Sequence, residues 1–378
     1  MSPRLTAVIC ASLFACGPLS SPGDAGATGG GSATGGGFAT GGGGGSATGG
    51  GGGSATGGGG GATGGGGGLP APLTWSSVGL ADAPSGSHIV GLSGAANDLW
   101  AVQDYNSGVF HSTGGGFTRL FSLQDGAVGL YASGGTVVIL QGRAIRTCTP
   151  PAPCTQESDF ARLDLLNSAM SWNLFGEAVC GRGPTQIAAI VSNTQSLAEL
   201  FEWNGTSWTR TNGNLGVANP SRCWYGDDGA LYVSGEDGLV HYDQGAATPI
   251  VLTTDGTGFN GGMTVAGTSW VAGWKEHVAR GTGTSFTPVT PLNGSGMQVL
   301  YAAGGLRADE VFFFGYYVSS NAQGNGFRWD GATLRPVGDL LPGFGQGSTV
   351  RLLHVTGPNE LYVAGGDGTR PLVARARR

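Results

Sequence analysis

A short phrase recurs along the chain and constrains its fold more than any single motif. The clearest copy is Ala230-Leu231-Tyr232-Val233-Ser234-Gly235, followed by Glu236-Asp237-Gly238 and Leu239-Val240-His241-Tyr242-Asp243. Near the end stand Glu360-Leu361-Tyr362-Val363-Ala364-Gly365, then Gly366-Asp367-Gly368 and Leu372-Val373-Ala374. Further copies are Asp98-Leu99-Trp100-Ala101-Val102, Ser269-Trp270-Val271-Ala272-Gly273 and Glu310-Val311-Phe312-Phe313-Phe314-Gly315. Weaker ones lie at Gly129-Leu130-Tyr131-Ala132 and Gln186-Ile187-Ala188-Ala189-Ile190. Taking Trp100, Tyr131, Ala188, Tyr232, Trp270, Phe312 and Tyr362 as equivalent gives a mean period of about 44 residues.

Each copy reads as an apolar strand, a tight turn and a second strand. Asp-Gly at 125, 228, 237, 255, 330 and 367 and Asn-Gly at 204, 212, 260, 293 and 325 favour hairpins, because both central residues tolerate positive φ. No helical period competes with them. Short strands in a repeat of this length predict an all-β propeller of four-stranded blades, seven in number, with six or eight as the alternative counts. The last copy stops near its third strand. The segment Leu73-Thr74-Trp75-Ser76-Ser77-Val78 resembles the outer strands Ser207-Trp208-Thr209 and Ser285-Phe286-Thr287-Pro288-Val289, so it is expected to complete the final blade and seal the ring. Asn204-Gly205-Thr206-Ser207-Trp208 and Trp329-Asp330-Gly331 resemble the outer-hairpin phrase of secreted bacterial propeller repeats. The chain does not repeat the Gly-His and Trp-Asp pairs expected of WD40 repeats, Trp329-Asp330 being its one Trp-Asp, and it lacks the Gly-Gly plus aromatic spacing of kelch and the sialidase-type Asp box.

Composition separates the chain into parts. Of its 77 Gly, 27 lie in the 45 positions 24–68, among Ala, Thr and Ser. That tract cannot bury apolar area, so it is expected to be a disordered linker. As a Gly-rich coil its ends stand about 35–40 Å apart. Phosphate-binding glycine loops need a strand before and a helix after, and neither is predicted here. Forty-eight Gly remain in residues 69–378, and most of them are expected to punctuate hairpins.

The first residues read as a leader. Met1–Arg4 carries one positive charge, and residues 5–15 are apolar, the length of a signal core. Leu13-Phe14-Ala15-Cys16 resembles the lipobox of bacterial lipoproteins. The resemblance implies cleavage before Cys16 and lipidation there. Cys10 does not fit, because Ile9 before it is not small. The expected organisation is a signal peptide at 1–15, the lipidated Cys16 and linker at 16–68, and a propeller at 69–378. The chain would be exported and held at the cell envelope, on the outer membrane or cell surface. A soluble secreted protein is the alternative.

Four further cysteines, Cys148, Cys154, Cys180 and Cys223, suit an exported disulfide protein. Cys148 and Cys154 bracket Thr-Pro-Pro-Ala-Pro, a loop they are placed to staple. Cys180 and Cys223 would then tie neighbouring repeats, although four cysteines allow three pairings.

Charged residues are only 11% of the chain, Lys275 is its one lysine, and the net charge is −6. No basic stripe suggests nucleic acid. Arg375, Arg377 and Arg378 read as a solvated tail. The histidines His88, His111, His241, His277 and His354 show no metal spacing, and no nucleophile elbow or EF-hand pattern occurs. His241 reads as a structural histidine. Asp227-Asp228-Gly229 reads as a turn, the Trp274-Lys275-Glu276-His277 cluster as surface strand, and Phe312–Phe314 as buried strand. No catalytic set, metal or cofactor is predicted. The expected role is a binding or scaffold module for an envelope protein or a glycan. The alternative is a glycosidase- or lyase-like enzyme with its site at the central mouth.

Overall fold

A computed structural model describes residues 71–105, 108–165, 175–193, 195, 197–211, 214–252, 258–274, 277–289, 297–317, 326–337, 341–345 and 347–378. Among these, strands gather into seven four-stranded blades. Their inner strands are Ile89–Ala95, Ala127–Ser133, Phe175–Gly183, Pro220–Tyr225, Phe259–Val265, Met297–Arg307 and Thr349–Gly357, for blades 1 to 7. Within each blade the strands follow one another antiparallel, as consecutive hairpins require. Blades 6 and 7 also share one bridge, Tyr316 to Thr349. Each inner strand packs on the next, and the seventh packs on the first, so the ring closes.

The seventh blade draws its outer strand from the other end of the chain. Thr74–Ser77 pairs with Pro371–Arg377 in the register Thr74 to Arg377 through Ser77 to Ala374. A ring sealed this way leaves no long unpaired edge. Arg375 and Arg377 are therefore strand residues, and Arg378 directly follows the strand, rather than forming a solvated tail. Ala374 and Ala376 are buried, while Arg375 and Arg377 alternate outward onto Glu360. Arg378 reaches Glu310 of blade 6 and donates from Nε to the Ala71 carbonyl at 2.6 Å.

The core is divided into seven clusters, one at each blade-to-blade interface. Blades bury both faces, which is why the second strands read as continuous apolar runs. Phe312, Phe313 and Phe314 are buried as expected, whereas Tyr316 is 36% exposed. The repeat frame needs one correction. Position by position, Val138 and not Tyr131 matches Trp100, Ala188, Tyr232, Trp270, Phe312 and Tyr362. Tyr131 belongs to the inner strand of blade 2, and that blade's copy of the phrase is Thr136–Gln141.

The same register places a bulge at one equivalent position in every inner strand, and blades 3, 6 and 7 carry further shifts. The extra residues are Val90, Val128, Glu177, Ser221, Asn260, Tyr301 and Arg351. In blades 4 to 7 the glycine ending the phrase sits beside this irregularity. A Cβ at Gly365 would lie 1.9 Å from the Thr349 carbonyl oxygen, and one at Gly273 would lie 2.0 Å from that of Gly258. These glycines permit close backbone approach and do not punctuate turns. Asn260-Gly261 is likewise inside a strand, not a turn. Turn glycines occur where expected at Gly205, Gly229, Gly331 and Gly368, all with positive φ. Asp255-Gly256, Asn212-Gly213 and Asn293-Gly294 lie outside the described residues, as does Asn325.

Candidate functional site in the central channel

Cys16 and the whole leader lie outside the described residues, as do Lys275 and Glu276. The four body cysteines form the pairs Cys148–Cys154 and Cys180–Cys223. The first staples the proline-rich loop. The second joins the inner strands of blades 3 and 4, and both of its cysteines line the central channel.

The histidines are engaged locally. His111 Nε2 lies 2.9 Å from Asp98 Oδ1, with its ring against Trp100. His241 Nε2 lies 3.5 Å from Asp228 Oδ2, edge-on to Tyr232. Asp228 Oδ1 caps its own turn by accepting from the Ala230 amide at 3.1 Å. Of the five histidines only His354 lines the channel, and its Nε2–H donates to the Gly94 carbonyl at 2.7 Å. Burial lowers the His354 pKa, so the neutral ring is favoured. No group of three or more His, Cys, Asp or Glu is placed to hold a metal among the described residues.

The inner strands of all seven blades enclose a cavity of about 360 Å³. Its wall carries Trp224, Tyr225, Tyr131 and Tyr301 besides aliphatic and glycine positions. Burial pushes the Tyr131 and Tyr225 phenols upward, so both stay protonated across the neutral range. Two cations share this wall, Arg222 on blade 4 and Arg351 at the bulge of blade 7. Arg222 donates from Nη2 to the Arg351 carbonyl at 2.9 Å and from Nη1 to the Ser221 carbonyl at 3.2 Å. Blades 4 and 7 are not neighbours in the ring, so the Arg222 side chain spans the channel. Burial first, and then the Arg351 charge, lower its pKa to about 10.

Neither arginine forms an ion pair with a carboxylate among the described residues. Glu177, the acidic residue of the bulge set, accepts from Ser192 Oγ at 2.5 Å, and burial raises its pKa. The Arg351 charge acts on His88, whose own carboxylate partner is Asp104, and the His88 backbone amide donates to Asp104 at 2.8 Å. The sequence reading missed Arg222 and Arg351. Nothing in an isolated Ser-Arg-Cys or Val-Arg-Leu marks a residue as channel-facing before the blades are in register.

No protein-family model matches the chain, and no curated protein matches it in sequence. The fold does have solved neighbours. YCF48 from Cyanidioschyzon merolae is 13% identical with a TM-score of 0.58, covering 80% of this chain and 98% of that one. A second YCF48 structure, bound to D1 peptide, is 12% identical with a TM-score of 0.59, covering 82% and 96%. A catalytically inactive virginiamycin B lyase from Staphylococcus aureus, solved with quinupristin, is 12% identical with a TM-score of 0.58, covering 81% and 100%. At these identities the likeness shows the fold alone. This chain is a β-propeller.

Proposed function

We propose that the protein is a lipid-anchored, exported propeller that binds an envelope partner through its central channel. The observation that carries this reading is the channel wall itself. Seven inner strands bring aromatic rings and two guanidiniums to one cavity of about 360 Å³. That size and mixture of apolar wall with few polar groups suit recognition of a small group or an inserted segment. The neighbours solved with a peptide and with quinupristin support a ligand-holding role for a ring of this shape. The two disulfides support export into an oxidising compartment. The Leu13–Cys16 sequence supports anchoring, with the glycine tract as a tether that lets the ring stand clear of the membrane.

Capture from envelope extract with the full chain tests the binding role. A partner retained by the native chain and lost when Tyr301 and Trp224 are replaced by Ala is the expected result. Equal capture by both removes the channel from the reading. For anchoring, Cys16→Ala is expected to move the protein out of the membrane fraction, and retention there would refute the lipid anchor.

A further inference from the structure

The channel places two positive charges where a folded chain ordinarily supplies a negative one. Among the described residues Arg222 is satisfied by neutral carbonyls, those of Ser221 and Arg351. Its nearest charged influence is a second cation, Arg351. Both arginines are half-buried in the channel wall, and two like charges there with no carboxylate partner favour an anion that lies between them. The Trp224 indole N–H and the Asn260 amide nitrogen also find no acceptor among the described residues, but both atoms are sealed inside the wall and Asn260 does not line the cavity, so neither reaches an occupant.

We propose that the central channel binds a small organic anion, its carboxylate or phosphate held by the Arg222 and Arg351 guanidiniums and its apolar part lying against Trp224, Tyr301 and Leu353. The inference rests on the binding role given above and names its ligand class. Guanidinium suits the task because its planar fork meets two oxygens of an oxyanion at once. The cavity volume is at the small end of ligand pockets, which limits the occupant to a compact molecule or one terminal group.

Calorimetric titration of the full chain at low salt tests this with phenylacetate, phenyl phosphate and the neutral phenylacetamide. At least one anion is expected to bind, more weakly as salt rises, and the amide is not. Preference between the two anions distinguishes a planar from a tetrahedral ligand group. Arg222→Met and Arg351→Met are each expected to weaken the anion about tenfold or more, the loss of one charge-assisted contact. Binding of neither anion, equal binding of the amide, or unchanged binding by both variants overturns the proposal. Without a ligand, Arg222→Met is expected to melt within about 2 °C of the native protein or above it. A larger drop makes Arg222 a structural tie across the ring and also overturns it. If the anions fail while the native chain still captures a partner through Tyr301 and Trp224, the binding role stands and only the anionic ligand falls.

Discussion

Arg378 gives the sharpest test of how the ring is locked. Its side chain is 9% exposed and meets Glu310, which is 1% exposed on the second strand of blade 6. The contact fastens the last residue of blade 7 to its neighbour, and the Nε bond to Ala71 fastens the entering strand to the same point. Removing one member of a buried ion pair costs about 3–5 kcal/mol, because the remaining charge is stranded. Glu310 keeps a second partner, Arg328, at 3.0 Å, and that arginine is 43% exposed and so a weaker substitute. The expected cost of Arg378→Gln is therefore about 3 kcal/mol, the low end of that range. For a body of this size that lowers the melting temperature by about 5 °C. Thermal unfolding of Arg378→Gln, Glu310→Gln and the double variant measures it. The double variant is expected to be more stable than the sum of the single losses by about 1–2 kcal/mol, since neither charge is then left alone. Additive losses, or a shift below about 1 °C for Arg378→Gln, would show that the latch does not hold the ring.

Other outcomes follow from the same geometry. Replacing Cys180 and Cys223 by Ser opens a link spanning 43 residues, and the chain-entropy relation puts the loss near 4 kcal/mol, read as a lower unfolding midpoint in urea. Gly365→Ala forces a Cβ to within 1.9 Å of the Thr349 carbonyl oxygen, so a loss of about 1–3 kcal/mol is expected, while Gly368→Ala, with open space around it, loses only through its positive φ. Burial lowers the pKa of His354 and His88 below 6.5 in the folded ring, so the unfolded chain takes up protons first as pH falls. Stability is then full above pH 6.5 and declines below it, and His354→Gln is expected to flatten that decline in unfolding curves between pH 6.5 and 5.

Much of the architecture was legible because it repeats. A period near 44, dipeptide turns and, in blades 4 to 7, a Gly-ended strand are local signals that recur around the ring. The closing strand was legible because Thr74–Ser77 resembles other outer strands. Tyr131 misled because an aromatic flanked by small apolar residues fits an inner strand as well as a second one, and only pairing distinguishes them. The terminal arginines misled for another reason. Charge at a chain end suggests solvent, yet Ala374 to Arg377 alternates small apolar and basic residues with the period of a strand. The channel was the least legible part. Its wall draws on the bulge positions Val90, Val128, Tyr301 and Arg351 and on Arg222 beside the bulge of blade 4, places equivalent in the ring whose side chains run from valine to tyrosine to arginine. Arg222 and Arg351 are 129 residues apart and meet only because the ring brings blades 4 and 7 across one cavity.

The most direct measurement is a crystal structure of the protein with 4-bromophenylacetate, located by the anomalous signal of bromine. A single strong peak inside the channel, with the carboxylate within about 3 Å of the Arg222 or Arg351 guanidinium, is the predicted result. Bromine only on the outer surface of the blades, with the channel side chains unmoved, would contradict it.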